Sequence, residues 1–252
     1  MKRLSCLVFG LLTHASAAIA VEQPLSREEI LKRADVTAVW QPVPPEVSPG
    51  IDGAPPTDAV VLFAGQGLDA WQSRSGEAAG WAVANGVMTV VPGSGDILTR
   101  RAFGSVQLHL EWRAPREIEG DGQGRGNSGI FFMDRYEVQV LDSYDNPTYP
   151  NGQAASVYKQ HIPLVNASRA PGEWQVYDII FTAPVFGVGG RPVRPAYVTV
   201  LHNGVLVQHH VPLHGPTLFI GKPQYEVHGK APIRLQDHSN PVSFRNVWVR
   251  EL

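Results

Sequence analysis

The residues best suited to chemistry lie on one short run, Tyr136-Glu137-Val138-Gln139-Val140-Leu141-Asp142. Successive side chains of a strand point to opposite faces, so Tyr136, Val138 and Val140 share one face and Glu137 and Gln139 the other. The first set suits a core. The second sets a carboxyl and an amide side by side, roughly 6–7 Å apart along the strand. Such a pair can bind hydroxyl groups and move a proton, although polar-out alternation also arises wherever a strand merely faces water.

Three neighbouring segments favour a site. Gly124-Arg125-Gly126-Asn127-Ser128-Gly129 combines a pliant backbone with amide and hydroxyl groups; turn chemistry alone would use the same residues. Asp142-Ser143-Tyr144-Asp145-Asn146 adds two carboxylates and a phenol, with an Asx turn as the plainer role of Asp142. Val157-Tyr158-Lys159-Gln160-His161 supplies an aromatic ring, a cation and an imidazole, and Lys159 could equally belong to a solvated face. Jointly they fit a sugar site, where amides and carboxylates bind hydroxyls and an aromatic ring stacks on the pyranose.

The C-terminal region contributes Arg234, Gln236 and His238 at one strand parity, with Ile233, Leu235 and Asp237 at the other. His238 beside Gln236 is therefore a candidate, not an isolated imidazole. Arg245 and Asn246 interrupt the alternation of Val242-Phe244 and Val247-Val249, which predicts a bulge. Arg245 would either buttress the site or pair with a carboxylate. His209 and His210 are expected on opposite strand faces, unsuited to one ion, with His214 nearby. A divalent ion on Glu137, His238 and a second carboxylate is conceivable by donor type, but no ligand spacing specifies it. Gly187-Val188-Gly189-Gly190 follows no strand-to-helix phosphate motif and reads as a loop.

The elements that must position these residues are short strands. Val106–Arg113 alternates apolar and polar throughout, and Trp174–Thr182, Ala196–Leu201 and Val205–Val211 do so similarly. Asn203-Gly204 and Asn85-Gly86 predict tight hairpins, because both residues of the pair accept positive φ. Strands at this spacing without interleaved helices indicate an all-β sandwich or jelly roll. Before them, Ser26-Arg27-Glu28-Glu29 reads as a capping box opening a short helix, and Gln41 to Pro56 is too rich in Pro and Gly for regular structure. The expected organisation is a signal peptide over 1–20, a helix and Pro-rich linker over 21–57, and a sandwich domain over 58–252.

The leader carries Lys2 and Arg3, an apolar run from Leu4 to Leu12, and small residues at Ala15-Ser16-Ala17 and Ala18-Ile19-Ala20. That run is shorter than the ~20 residues needed to span a bilayer, so cleavage and export to the periplasm or exterior are expected instead of anchoring. Cys6, the only cysteine of the chain, falls inside the leader. The exported body would then hold no disulfide, no catalytic thiol and no cysteine zinc site. Removing Lys2 and Arg3 from 21 basic residues leaves 19 against 23 acidic ones, a formal charge of −4. With no basic run, the electrostatic footprint of a nucleic-acid binder is missing. The 25 Gly and 21 Pro suit a chain that turns often between strands.

Leu62-Phe63-Ala64-Gly65-Gln66-Gly67-Leu68-Asp69-Ala70-Trp71 resembles the opening "LFNGKDLSGW" pattern of the 3-keto-disaccharide hydrolase domain family. The resemblance continues in order through Trp81, Gly86, Asn127-Ser128-Gly129, Tyr136-Glu137-Val138-Gln139 with Asp142, and Gly172-Glu173-Trp174. It ends on Asn203-Gly204, Leu235-Gln236-Asp237-His238 and Phe244-Arg245-Asn246, spanning about Val60 to Leu252. Departures are Ala64, where Asn is usual, and an inserted segment around Phe186–Pro195. The resemblance implies a concanavalin A-like jelly roll of two antiparallel sheets acting on glycosides already oxidised to a ketone at C3.

A C3 ketone acidifies the C2 proton, so such chemistry needs one base, donors at the developing oxyanion, and an acid for the leaving group. On this reading Glu137 and His238 are the candidate base and acid. Lys159, Asn127 and Gln139 would orient or stabilise the sugar, Tyr158 and Gln236 would line the site, and Asp142 and Arg245 would support it. Two other readings stay open at this level: a non-catalytic carbohydrate-binding module, and a conventional glycosidase pairing Glu137 with Asp142.

Overall fold

The computed structural model describes residues 24–252; the leader at 1–20 and Cys6 lie outside the described residues. The chain folds as two units, one ending at Glu46 and the other spanning Val47–Leu252. The first contains helix α1 (Arg27–Asp35), whose Ser26 hydroxyl accepts from the Glu29 N–H while the Glu29 carboxylate accepts from the Ser26 N–H. The predicted capping box is thus formed, and the helix buries none of its residues. No described helix is long and apolar enough to cross a membrane.

The second unit is built from strands β1 (Val60–Phe63), β2 (Trp71–Ser73), β3 (Ala82–Ala84), β4 (Val87–Thr89) and β5 (Ile97–Phe103). They are followed by β6 (Val106–Arg113), β7 (Ser128–Phe132), β8 (Tyr136–Val140), β9 (Gln175–Thr182) and β10 (Val185–Phe186). The chain ends with β11 (Pro192–Arg194), β12 (Tyr197–His202), β13 (Val205–Pro212), β14 (Ala231–Leu235) and β15 (Ser243–Glu251). One sheet has eight strands in the order β13-β12-β9-β6-β15-β4-β3, with β1 also paired to β15. The other has five, in the order β2-β5-β14-β7-β8. All pairings are antiparallel, as the jelly-roll expectation required.

Alternation explains why the sheets face each other. Val106, Leu108, Leu110 and Trp112 of β6 are buried and meet Tyr177, Ile179 and Phe181 of β9. Across the sandwich, Ile130, Phe132, Tyr136, Val138 and Val140 bury the inner face of the β7–β8 hairpin. Phe181 joins the layers, stacked 4.7 Å from Phe132 and 5.6 Å from Tyr136. Asn203-Gly204 and Asn85-Gly86 make the predicted turns, each with positive φ at both residues.

Several expectations gain detail. The predicted interruption at Arg245-Asn246 is a register shift in β15, with Asn246 at φ 48°. His209 and His210 are both exposed, because β13 bulges between its pairings with Val198 and Val200. The inserted segment folds as the small β10–β11 ribbon, with Gly187–Gly190 as its turn. The Pro-rich stretch is not uniformly a linker: the Gly53 carbonyl accepts from Asn246 Nδ2 at 2.9 Å and Trp248 Nε1 at 3.1 Å.

Candidate active site

The site rests on the outer face of the five-stranded sheet. Register places Phe131 opposite Glu137 and Gly129 opposite Gln139 across β7–β8, and Arg234 of β14 beside Phe131. Cross-strand partners share a face, so Glu137, Gln139, Gly129, Phe131 and Arg234 form one outward-facing surface. β8 ends this sheet, which would leave its backbone edge unpaired. Two loops cover it. Gln139 N–H donates to the Ser156 carbonyl at 3.0 Å and its carbonyl accepts from Ala155 N–H at 2.9 Å. Glu137 N–H donates to Thr217 Oγ1 at 3.0 Å, while Thr217 N–H donates to the Arg135 carbonyl at 2.8 Å.

These loops carry the walls. Tyr149 and Tyr158 come from one loop, with hydroxyls 2.6 Å apart, and Thr217 and Phe219 from the other. The result is a cavity of about 540 Å³, with Glu137, Gln139, Asn127 and Gln123 among its lining groups and Gln236 and His238 completing its polar side. That volume suits a sugar-sized ligand.

Glu137 is only 5% exposed. Burial pushes its carboxyl up to about 8, Arg234 opposing and Asp96 adding to the rise. It therefore holds a proton through neutral pH and, once ionised, is a far stronger base than a solvated carboxylate. In one orientation the Gln139 amide donates to Gln123 Oε1 at 3.1 Å; turned about, its nitrogen would instead donate to Glu137 Oε1 at 3.0 Å and to the Ser128 carbonyl at 3.2 Å. Gly129 makes room for the Glu137 and Gln236 side chains. A Cβ there would lie 2.6 Å from Glu137 Oε1 and 3.3 Å from Gln236 Oε1.

Phe131 forms a rigid floor. The Arg234 guanidinium lies 3.4 Å from its ring centroid and is clamped by Asp134 at 2.5 Å and Asp96 at 2.8 Å. Arg74 joins the same carboxylates from the exposed side. Asn127 donates from Nδ2 to the Gln123 carbonyl at 2.6 Å and from its backbone to Asn240 at 2.7 Å. Its Oδ1 has no protein donor among the described residues. Gln236 is held through its backbone, by Gly129 at 3.0 Å and Ser128 at 2.7 Å, which leaves its side-chain amide for a ligand.

The structure brings together Glu137, Gln139, Asn127, Tyr158, Gln236 and His238, all expected from sequence. Burial and the bond to Tyr149 push the Tyr158 phenol up, so it stays neutral. His238 is exposed at the cavity edge. Lys159 is placed at the mouth instead of the floor, its ammonium 4.2 Å from the Tyr149 ring centroid and 5.1 Å from that of Phe219.

Two expectations are corrected. Arg245 lies on β15 of the opposite sheet, where it bonds Glu111 at 2.6 Å and covers Trp174 at 4.1 Å. Asp142 is buried against Arg125 at 2.6 Å and lines a separate small cavity. Each acts as the partner of an opposite charge or ring, away from the sugar-sized cavity. Sequence reasoning missed Gln123, Tyr149, Thr217 and Phe219, which reach the site through loops and share no strand periodicity with it. Gly129 and Phe131 were legible as strand partners only once register was known.

Among the described residues, no group of three or more His, Cys, Asp or Glu side chains converges. The cavity offers one carboxyl, one imidazole and several amides, a donor set that suits hydroxyl groups better than a metal ion.

Residues 58–250 match the family model of the 3-keto-alpha-glucoside-1,2-lyase-like domain. A crystallised candidate glycosyl hydrolase from Parabacteroides distasonis is 53% identical and superposes with a TM-score of 0.84, covering 86% of this chain and 96% of its own. A second candidate glycosyl hydrolase from that organism is 19% identical with a TM-score of 0.57, covering 77% of this chain and 94% of its own. At that identity it speaks to the fold alone. No curated protein matches the sequence. With most of its length accounted for by one family model and a close structural relative beside it, the chain belongs to the 3-keto-alpha-glucoside-1,2-lyase-like domain family.

Proposed function

We propose that this protein cleaves the glycosidic bond of 3-keto glycosides by elimination followed by hydration. The observation that carries this reading is Glu137: a buried, proton-holding carboxyl among amides in a sugar-sized cavity. Family membership supports the substrate class.

Ionised Glu137 takes the C2 proton, and the C–H electrons form an enediolate across C2 and C3. The C3 carbonyl then re-forms, a C1–C2 double bond develops, and the C1–O bond breaks. The departing oxygen takes a proton, for which the exposed His238 imidazole at the cavity edge is our candidate donor. Water adds its hydroxyl at C1, C2 regains a proton, and the net change is hydrolysis. Amides of Gln139, Asn127 and Gln236 would orient the sugar and stabilise the developing oxyanion. Phe131, almost fully buried under the Arg234 guanidinium, backs the floor of the site.

A two-carboxylate glycosidase finds little support here, since its second acid, Asp142, is engaged by Arg125 and lines another cavity. The leader over 1–20 supports export as the setting of the reaction. Incubation of purified protein with matched plain and 3-keto glucosides tests the proposal. Cleavage of the keto form alone is expected; cleavage of both, or binding without turnover of either, would overturn it.

A further inference from the structure

We infer that the mouth of this cavity is built for an aromatic aglycone, so that the preferred substrates are aryl glycosides and not disaccharides. The inference rests on the proposed glycosidic cleavage and adds the chemical class of the leaving group.

Polarity changes sharply from floor to mouth. The floor holds the carboxyl and amides described above. The mouth presents the rings of Tyr149, Tyr158 and Phe219. Several of its polar atoms are engaged: the two tyrosine hydroxyls bond each other, and Thr217 Oγ1 accepts from Glu137 N–H, which leaves the Lys159 ammonium as the charged donor among the rings. A second sugar, with several hydroxyls to satisfy, would find few acceptors among these rings, and burying hydroxyls without partners is costly. A planar apolar ring needs none.

The Phe219 side of the mouth is unsatisfied. Phe219 is 71% exposed, with Leu218 and Ile220 exposed beside it. Thr217 is tied to β8 and Tyr225 donates to the Leu213 carbonyl at 2.8 Å, while Phe219 itself makes no hydrogen bond that fixes it against the sheet. An aryl ring bound there would cover Phe219 and face the Tyr149–Tyr158 wall.

Lys159 adds a charge preference. It adopts φ 62°, fixed by its N–H donating to the Asn151 carbonyl at 2.8 Å, and its ammonium rests among the three rings. A cation at the mouth favours the negative charge that develops on a departing phenol oxygen.

The test compares the 3-keto derivatives of phenyl and methyl glucoside, as matched anomers, in the native protein and in Phe219→Ala. Loss of one aromatic contact should lower the phenyl-to-methyl ratio of kcat/KM roughly tenfold, through KM for the phenyl substrate. Equal losses on both substrates, or none on either, would overturn the inference. Binding of phenyl and methyl 1-thioglucosides gives a readout independent of the chemistry. Tighter phenyl binding that vanishes in Phe219→Ala supports the aryl mouth even if neither keto substrate is cleaved, an outcome that would sink only the proposed reaction. Equal binding of the two thioglucosides by the native protein would overturn the inference.

Discussion

Glu137 concentrates both the chemistry and the cost of the site. Its carboxyl is raised from 4.5 to about 8 by burial, so the folded protein binds its proton more tightly than the unfolded chain does. The stability this proton confers is fully present below about pH 4.5 and is lost as pH rises through about 8. The full swing is on the order of 5 kcal/mol, and Glu137→Gln removes it. Denaturant unfolding from pH 5 to 9 should therefore show the native protein losing stability relative to Glu137→Gln, both sharing the rise from His202, whose imidazole burial holds at about 4; parallel curves would mean that the carboxyl is solvated. As a base, Glu137 also predicts kcat/KM rising with pH toward about 8.

At the scale of elements, the β7–β8 hairpin and β14 hold Glu137 in place. Gly129 is the clearest dependency, because an added Cβ would meet Glu137 Oε1 at 2.6 Å and Phe131 at 2.8 Å. Gly129→Ala should lower kcat/KM by roughly 100-fold, as a displaced catalytic group does, while costing about 1–3 kcal/mol of stability. Near-native activity would show that the carboxyl has other room. This part of the site was legible in the sequence to the extent that strand alternation governs it. Period two put Glu137 and Gln139 outward, and parity grouped Arg234 with Gln236. Tyr149 and Phe219 were not legible, because the coil segments that carry them have no period and dock only once the edge of β8 exists. Arg245 was misplaced for a related reason: parity tells which face a side chain takes, not which sheet its strand joins.

For the molecule as a whole, two antiparallel sheets joined through Phe181, Phe132 and Tyr136 form a platform with loops gathered on one outer face. Hairpin signals and alternation made the sandwich legible without any long-range pairing being known. The role of residues 47–57 was not, since a Pro- and Gly-rich stretch reads the same whether it dangles or packs. Here it covers Trp248 and supplies the Gly53 carbonyl to two side-chain donors. A chain beginning at Asp58 should melt about 5 °C below one beginning at Val47, because two hydrogen bonds and a buried tryptophan lose their cover. Equal melting temperatures would assign that segment no structural part. The central claim is that Glu137 removes the C2 proton of a 3-keto glycoside, and C2 proton exchange followed by NMR in D2O tests it most directly. The native protein is expected to place deuterium at C2 of the 3-keto product, while Glu137→Gln neither exchanges nor cleaves. Undiminished cleavage or C2 exchange by Glu137→Gln would contradict it.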